Sequence, residues 1–268
     1  MGRLCVYFRF WKVGIVKVAV LISGSPRFYA GFDSFINGIV GADSVDYYVQ
    51  LWKDNPKPDK LGYDNYVLVA DSWRTIDPEW AKNKISSNLP DNHQLVNLEV
   101  VDSSLIEYPT ITGPQMHHSN FQSIWKMHLG WNLVDKLRQR SGNEYDLVIR
   151  ARPDLCLTKK LNLIDVKNFI NDNPKSVLVS NAAQHGVGYS INDVIGVSTP
   201  DNIAIYTNLI NYSLIYNLKG IMFHPETLLA YHLISNGIKI CPRIGAEIRL
   251  GSIEQPNNGV TVDFGCWQ

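Results

Sequence analysis

The residues best suited to chemistry lie in the stretch YDLVIRARPDL, residues 145–155. Tyr145–Ile149 is apolar enough for a central strand, yet it runs directly into Arg150, Arg152 and Asp154. Side chains on a strand alternate between faces, so these three are expected to project together. Ligands of open α/β sheets bind beyond the carboxyl ends of the strands, and guanidiniums placed there can grip diphosphate oxygens two at a time. An Arg–Asp ion pair closing a strand end is the structural alternative and carries equal weight on these residues alone.

Two further groups carry chemistry of the same kind. Ser23-Gly24-Ser25-Pro26-Arg27 follows an apolar run, and its small residues would let backbone N–H groups approach a phosphate, with Arg27 adding charge. It matches neither GxGxxG nor a Walker A loop, and a tight strand-to-helix turn explains it as well. Asp193 and the pair His224/Glu226 form the third group. Glu226 follows Pro225 at a helix start, where a carboxylate also favours the helix dipole, so an acid–base role competes with a structural one. His117 and His118 lack further ligands at metal-binding spacing and read as surface or capping residues.

The elements that must position these groups alternate along the chain. Lys17–Ile22, Val45–Trp52, Tyr66–Ala70, Leu95–Val101, Tyr145–Ile149, Ser176–Ser180, Asp193–Ser198 and Ile238–Cys241 read as strands. Helices are expected over 28–39, 119–140, Pro200–Tyr216 and Pro225–Ser235, with a short one in the polar stretch 71–92. Such alternation predicts a mostly parallel sheet covered on both faces, a three-layer α/β/α sandwich. Residues 1–16 are expected to be an extension or an extra edge strand, and 17–268 a single domain.

Bulk composition narrows the function classes. Lys+Arg and Asp+Glu are equal at 25 each, which removes the basic excess of a nucleic-acid binder. The four cysteines (Cys5, Cys156, Cys241, Cys266) are scattered without a CxxC pair, which argues against a zinc site and fits a reducing, cytoplasmic compartment. The first 22 residues are apolar but broken by Arg3, Arg9, Lys12 and Lys17, so no transmembrane segment is expected there.

The segments VAVLISGSPR, VDYYVQLW, HHSNFQSIWKM, YDLVIRARPDL, NDVIGVSTPDNI and HPETLLAYHLISNGIKI come in an order that resembles glycosyltransferase-like proteins of the GT-A, or nucleotide-diphospho-sugar transferase, fold. The resemblance spans about residues 17–241 and is most specific at the RxRPDL stretch and the SGxPR turn. It implies a nucleotide-sugar donor and transfer of a sugar to a hydroxyl acceptor. It implies that Ser23, Gly24, Arg27, Arg150, Arg152 and Asp154 lie at the nucleotide and its diphosphate, with Asp193 or Glu226 as base. Arg150, Arg152 and Asp154 stand where such proteins place a metal-binding Asp-x-Asp, so a divalent cation (manganese or magnesium) on Asp154 is one expectation. The arginine at the first acidic position sets the other, in which the guanidiniums replace the cation. A non-catalytic sugar-nucleotide or glycan-binding module is the alternative function, and a phosphate-handling hydrolase or a methyltransferase on a similar scaffold is a third.

Overall fold

The computed structural model describes residues 15–24, 31–53, 77–102, 118–185, 188–250 and 260–262. Arg27, the strand expected at Tyr66–Ala70 and most of the N-terminal extension lie outside them. The fold takes in Val16, one residue before the expected boundary, because that side chain is buried in the core.

In chain order the first half contains β1 (Lys17–Gly24), α1 (Gly31–Gly38), β2 (Ile39–Val40), β3 (Ser44–Trp52), α2 (Pro78–Ser86), β4 (His93–Val101) and α3 (His118–Ser141). There follow β5 (Leu147–Ala151), β6 (Leu155–Leu157), β7 (Leu161–Asn162), α4 (Leu163–Asp172), β8 (Ser176–Val179) and the hairpin strands β9 (Ala182–His185) and β10 (Gly188–Ile191). The remainder is β11 (Ile195–Ser198), α5 (Pro200–Thr207), α6 (Ile210–Leu218), α7 (Pro225–Ser235), β12 (Lys239–Pro242), β13 (Ala246–Leu250) and β14 (Val260–Val262).

A seven-stranded sheet in the order β12-β8-β11-β5-β1-β3-β4 forms the centre. Its pairings are parallel except for β11, which runs against both β5 and β8. The expected strands at 17–22 and 145–149 are therefore neighbours in mid-sheet, with Leu21 opposite Arg150. Both are buried on both faces, as an uninterrupted β-branched and aliphatic run requires, whereas β4 at the edge is only half-buried.

Alternating side chains feed two cores. Val18, Val20, Ile22, Leu147 and Ile149 pack with α1, α2 and α4 on one face. Ala19, Leu21 and Val148 pack with α3, α5, α6 and α7 on the other. The chain is thus mixed α/β with a large, mostly parallel sheet and helices on both sides. Among the described residues no helix is long and apolar enough to cross a membrane.

The helix expected over Pro200–Tyr216 is two helices. The N–H of Asn208 closes α5 on the carbonyls of Ala204 and Ile205, and α6 begins two residues later. The break lets Ile203 and Tyr206 of α5 and Ile210 and Tyr216 of α6 all face one core.

Candidate functional site

From β1 the chain moves outward through β3 to β4, then returns to the other side of β1 as β5. Strand order therefore reverses between β1 and β5, and the carboxyl ends of that pair are the place where open α/β sheets form ligand crevices. Ser23 and Gly24 end β1 there, and Arg152, Pro153 and Asp154 follow β5.

The two segments touch. A Cβ at position 24 would stand 2.7 Å from Pro153 Cδ, closer than any ordinary contact, so only glycine lets the β1 turn and the β5 turn close on each other. Ser23 is fully buried, facing Gly130 of α3, and its hydroxyl has no hydrogen-bond partner among the described residues. Replacing Gly24 with Ala is expected to lower stability by about 1–3 kcal/mol, the range for overpacking against a rigid ring. Urea denaturation measures it, and an unchanged midpoint would show that the contact is dispensable.

The local sequence builds the charged part of the site. Arg152-Pro153-Asp154-Leu155 is a β-turn closed by Leu155 N–H donating to Arg152 O at 3.3 Å, with proline at the position that presets φ. Within this turn Arg152 folds back on Asp154, Nε donating to Oδ1 at 2.9 Å and Nη2 to Oδ2 at 2.6 Å. Asp154 is only 1% exposed, so this bidentate pair satisfies a carboxylate that solvent does not reach.

Strand β11 brings in the next acid. Arg152 N–H continues the ladder to Val194 O at 3.0 Å, which sets Asp193 beside the β5 turn. Its Oδ1 lies 3.6 Å from Arg152 Nη1. Asp193 sits in the turn just before β11 rather than inside a strand, and Asn192 Oδ1 accepts from Val194 N–H to fix that turn. Burial works against a charge on Arg152, but Asp154, Asp193 and Glu226 together hold its pKa above the ordinary guanidinium value.

Arg150, expected beside Arg152 at the diphosphate, is placed differently from it. Arg150 is 2% exposed and donates Nη1 to the backbone carbonyl of Asp193. It pairs with Gly196 of β11, and the ring of Tyr206 lies where a side chain at 196 would be, 2.8 Å from that Cβ position. Arg150 is therefore enclosed between the sheet and α5, anchoring the Asp193 turn, while Arg152 keeps 26% of its side chain in solvent. Burial raises the Tyr206 pKa well above the ordinary phenol value, so its hydroxyl stays neutral.

Glu226 completes the group from α7, one residue after the Pro225 that opens the helix. Burial, reinforced by the charge of Asp193, raises its pKa from 4.5 to about 7, against the opposing pull of its own N–H and of Arg152. His224 Nε2 stands 3.1 Å from Glu226 Oε2. Asp154, Asp193 and Glu226, which belong to three distant parts of the sequence, thus surround one guanidinium.

The donor set does not fit a divalent cation on Asp154. Both of its oxygens are taken by Arg152, and among the described residues no group of three or more His, Cys, Asp or Glu side chains is arranged to hold a metal. Tyr206 and Gly196 escaped the sequence reading, since a tyrosine in an apolar helix reads as core. The glycine in DVIGVS, at mid-strand where a side chain is expected, was the available signal.

The fold and site together define a mixed α/β protein with a cluster of charged side chains at the reversal point of a mostly parallel sheet. No known protein family's model matches the chain. A search among characterised proteins likewise finds no match.

Proposed function

We propose that this chain is a glycosyltransferase-like protein of the GT-A class, moving a sugar from a nucleotide-diphosphate donor to a hydroxyl acceptor. The observation that carries the reading is the convergence of Arg152, Asp154, Asp193 and Glu226 at the carboxyl ends of β1 and β5. In this reading Arg152, oriented by Asp154, stabilises the charge that develops on the departing diphosphate. Glu226 titrates near neutrality, the range suited to taking a proton from an acceptor hydroxyl. The acceptor oxygen bonds to the anomeric carbon, the glycosyl–phosphate bond breaks, and the nucleoside diphosphate leaves with the electron pair.

A second reading has its own observation. Arg152 already spends its donors on Asp154 and Asp193, an arrangement that also suits a binding module without turnover. Thermal shift with UDP, GDP and CDP, each with and without manganese, followed by a donor-hydrolysis assay, tests both. One nucleotide is expected to raise the melting midpoint, and manganese to add nothing. No response to any nucleotide would end both readings, and binding without donor hydrolysis would select the module. A strong manganese requirement would overturn the guanidinium assignment.

A further inference from the structure

A base that takes a proton in every turnover must also lose it, and the start of α7 holds a second group suited to receive it. His224 occupies the cap position of that helix, with extended backbone at φ −125° and ψ 125°. Serine, threonine, aspartate and asparagine are favoured at such a position, because their side-chain oxygen accepts from an N–H of the first turn. His224 makes no capping hydrogen bond with its side chain. Its ring is directed at two other side chains instead.

Those side chains are Glu226 and Thr227. Nε2 of His224 lies 3.1 Å from Glu226 Oε2, and Nδ1 lies 3.4 Å from Thr227 Oγ1. Pro225 stands between the pair, fixing its own φ and holding the residue before it in extended backbone. A hydroxyl both donates and accepts, and a carboxyl does the same once protonated. A proton can therefore cross between Oε2 and Nε2 while Thr227 keeps a contact with the far side of the ring.

The two groups differ in access. The His224 side chain is 44% exposed and that of Glu226 32%, whereas Asp193 behind them is buried. Exposure thus rises outward from the charged cluster through Glu226 to the imidazole. The charges that bear on Glu226 come from Asp193 before β11 and Arg152 after β5, and Glu226 in turn bears on Tyr206 of α5. Tyr216 of α6 approaches α7 at His232, roughly two turns further along the helix. Glu226 titrates at about 7, and imidazole is the side chain whose ordinary titration falls between about pH 5 and 8. Transfer between groups so matched costs little in either direction.

We infer that His224 shares a proton with Glu226 and carries it between that carboxylate and solvent. The inference rests on the reading of Glu226 as the base of a sugar transfer. In the step itself the Glu226 Oε2–H bond breaks and an Nε2–H bond forms on His224, leaving a carboxylate and an imidazolium. The half-exposed ring then gives a proton to water or to a buffer base, and the neutral imidazole returns. His224 acts through Glu226 and not on the sugar.

An NMR titration of the seven histidine rings in the full chain tests the shared proton without any donor, with His224 assigned from the signal missing in His224→Gln. Glu226→Gln is expected to lower the His224 midpoint by about one pH unit, the low end for losing an opposite charge at this distance. An unchanged midpoint overturns the inference. Hydrolysis of the UDP-, GDP- or CDP-sugar whose nucleotide raises the melting midpoint tests the transfer to solvent. His224→Gln is expected to lower kcat by about tenfold at unchanged KM, less than loss of the base itself, because water still reaches a carboxylate one-third exposed. Raising the imidazole buffer concentration should restore part of the variant's kcat and leave wild type unchanged, a response that a merely structural role does not give. Full turnover in His224→Gln while Glu226→Gln is inactive overturns the relay and keeps the base. Full turnover in Glu226→Gln ends the base reading, and the donor-free titration then decides the shared proton by itself.

Discussion

Arg152→Ala is expected to destabilise the fold by about 3 kcal/mol, the lower part of the range for removing one partner of a buried ion pair. The lower part applies because a quarter of the arginine side chain meets water, which screens the pair, while Asp154 is almost wholly enclosed. The loss should lower the melting midpoint by on the order of 10 °C for a chain of this size. Its signature is in the pH dependence. Without the guanidinium, the enclosed Asp154 carboxyl is driven toward its protonated form, raising its folded pKa above the unfolded one. Such a group costs stability above the unfolded value, so the deficit should shrink as pH falls toward about 4. Arg152→Ala combined with Asp154→Asn, which removes the stranded charge, should recover part of the loss at neutral pH. Urea denaturation of the three proteins at pH 4.5 and pH 7.5 measures all of this. A deficit that is the same at both pH values would show that Arg152 contributes packing and not charge.

Glu226→Gln is expected to act in two opposite directions. In the role of general base proposed above, its loss should reduce turnover by about 10²–10⁴-fold. Stability should rise. The folded pKa of Glu226 is raised from 4.5 to about 7, so between these values the unfolded chain releases a proton that the folded chain keeps. Wild-type stability therefore falls as pH climbs through that window and levels off above it. Glutamine carries no such penalty. The variant should match wild type at pH 4 and exceed it at pH 8 by at most about 2 kcal/mol, discounted because a third of the side chain is in solvent. A residue whose removal stabilises the fold while ending activity is one kept for function. Unchanged turnover would remove the base assignment, and unchanged stability at pH 8 would show that Glu226 is ionised without strain.

The parts of the fold that sequence displayed are those where one local signal dominates. Lys17–Ile22 and Tyr145–Ile149 are aliphatic runs of strand length, and both lie in mid-sheet. The ten-residue helix α4 was overlooked. Leu163, Val166 and Ile170 space its buried side, and Asn162 caps it by accepting from Ile164 N–H, but so short an element leaves little periodicity to read. Pro200–Tyr216 has helical spacing throughout, and only the demand that both halves face one core divides it at Asn208. In the site, Arg152, Asp154, Asp193 and Glu226 were visible by type. The separation of the two arginines into an enclosed anchor and a half-open cation was not, because it depends on Gly196 and Tyr206, brought beside Arg150 by strand pairing alone.

The reversed direction of β11 has a consequence for how this architecture can vary. Chain leaving the site at Asp154 travels through β6 to β10 and re-enters at Asp193, at the same end of the sheet from which it departed. The whole excursion is bracketed by two acids that share one arginine. Both brackets are held independently of that excursion, by the pairing of β11 with β5 and by the Arg150 anchor. The acids of the charged cluster and the strands between them therefore occupy separable stretches of chain, so the intervening stretch can be rewritten while the cluster is held constant.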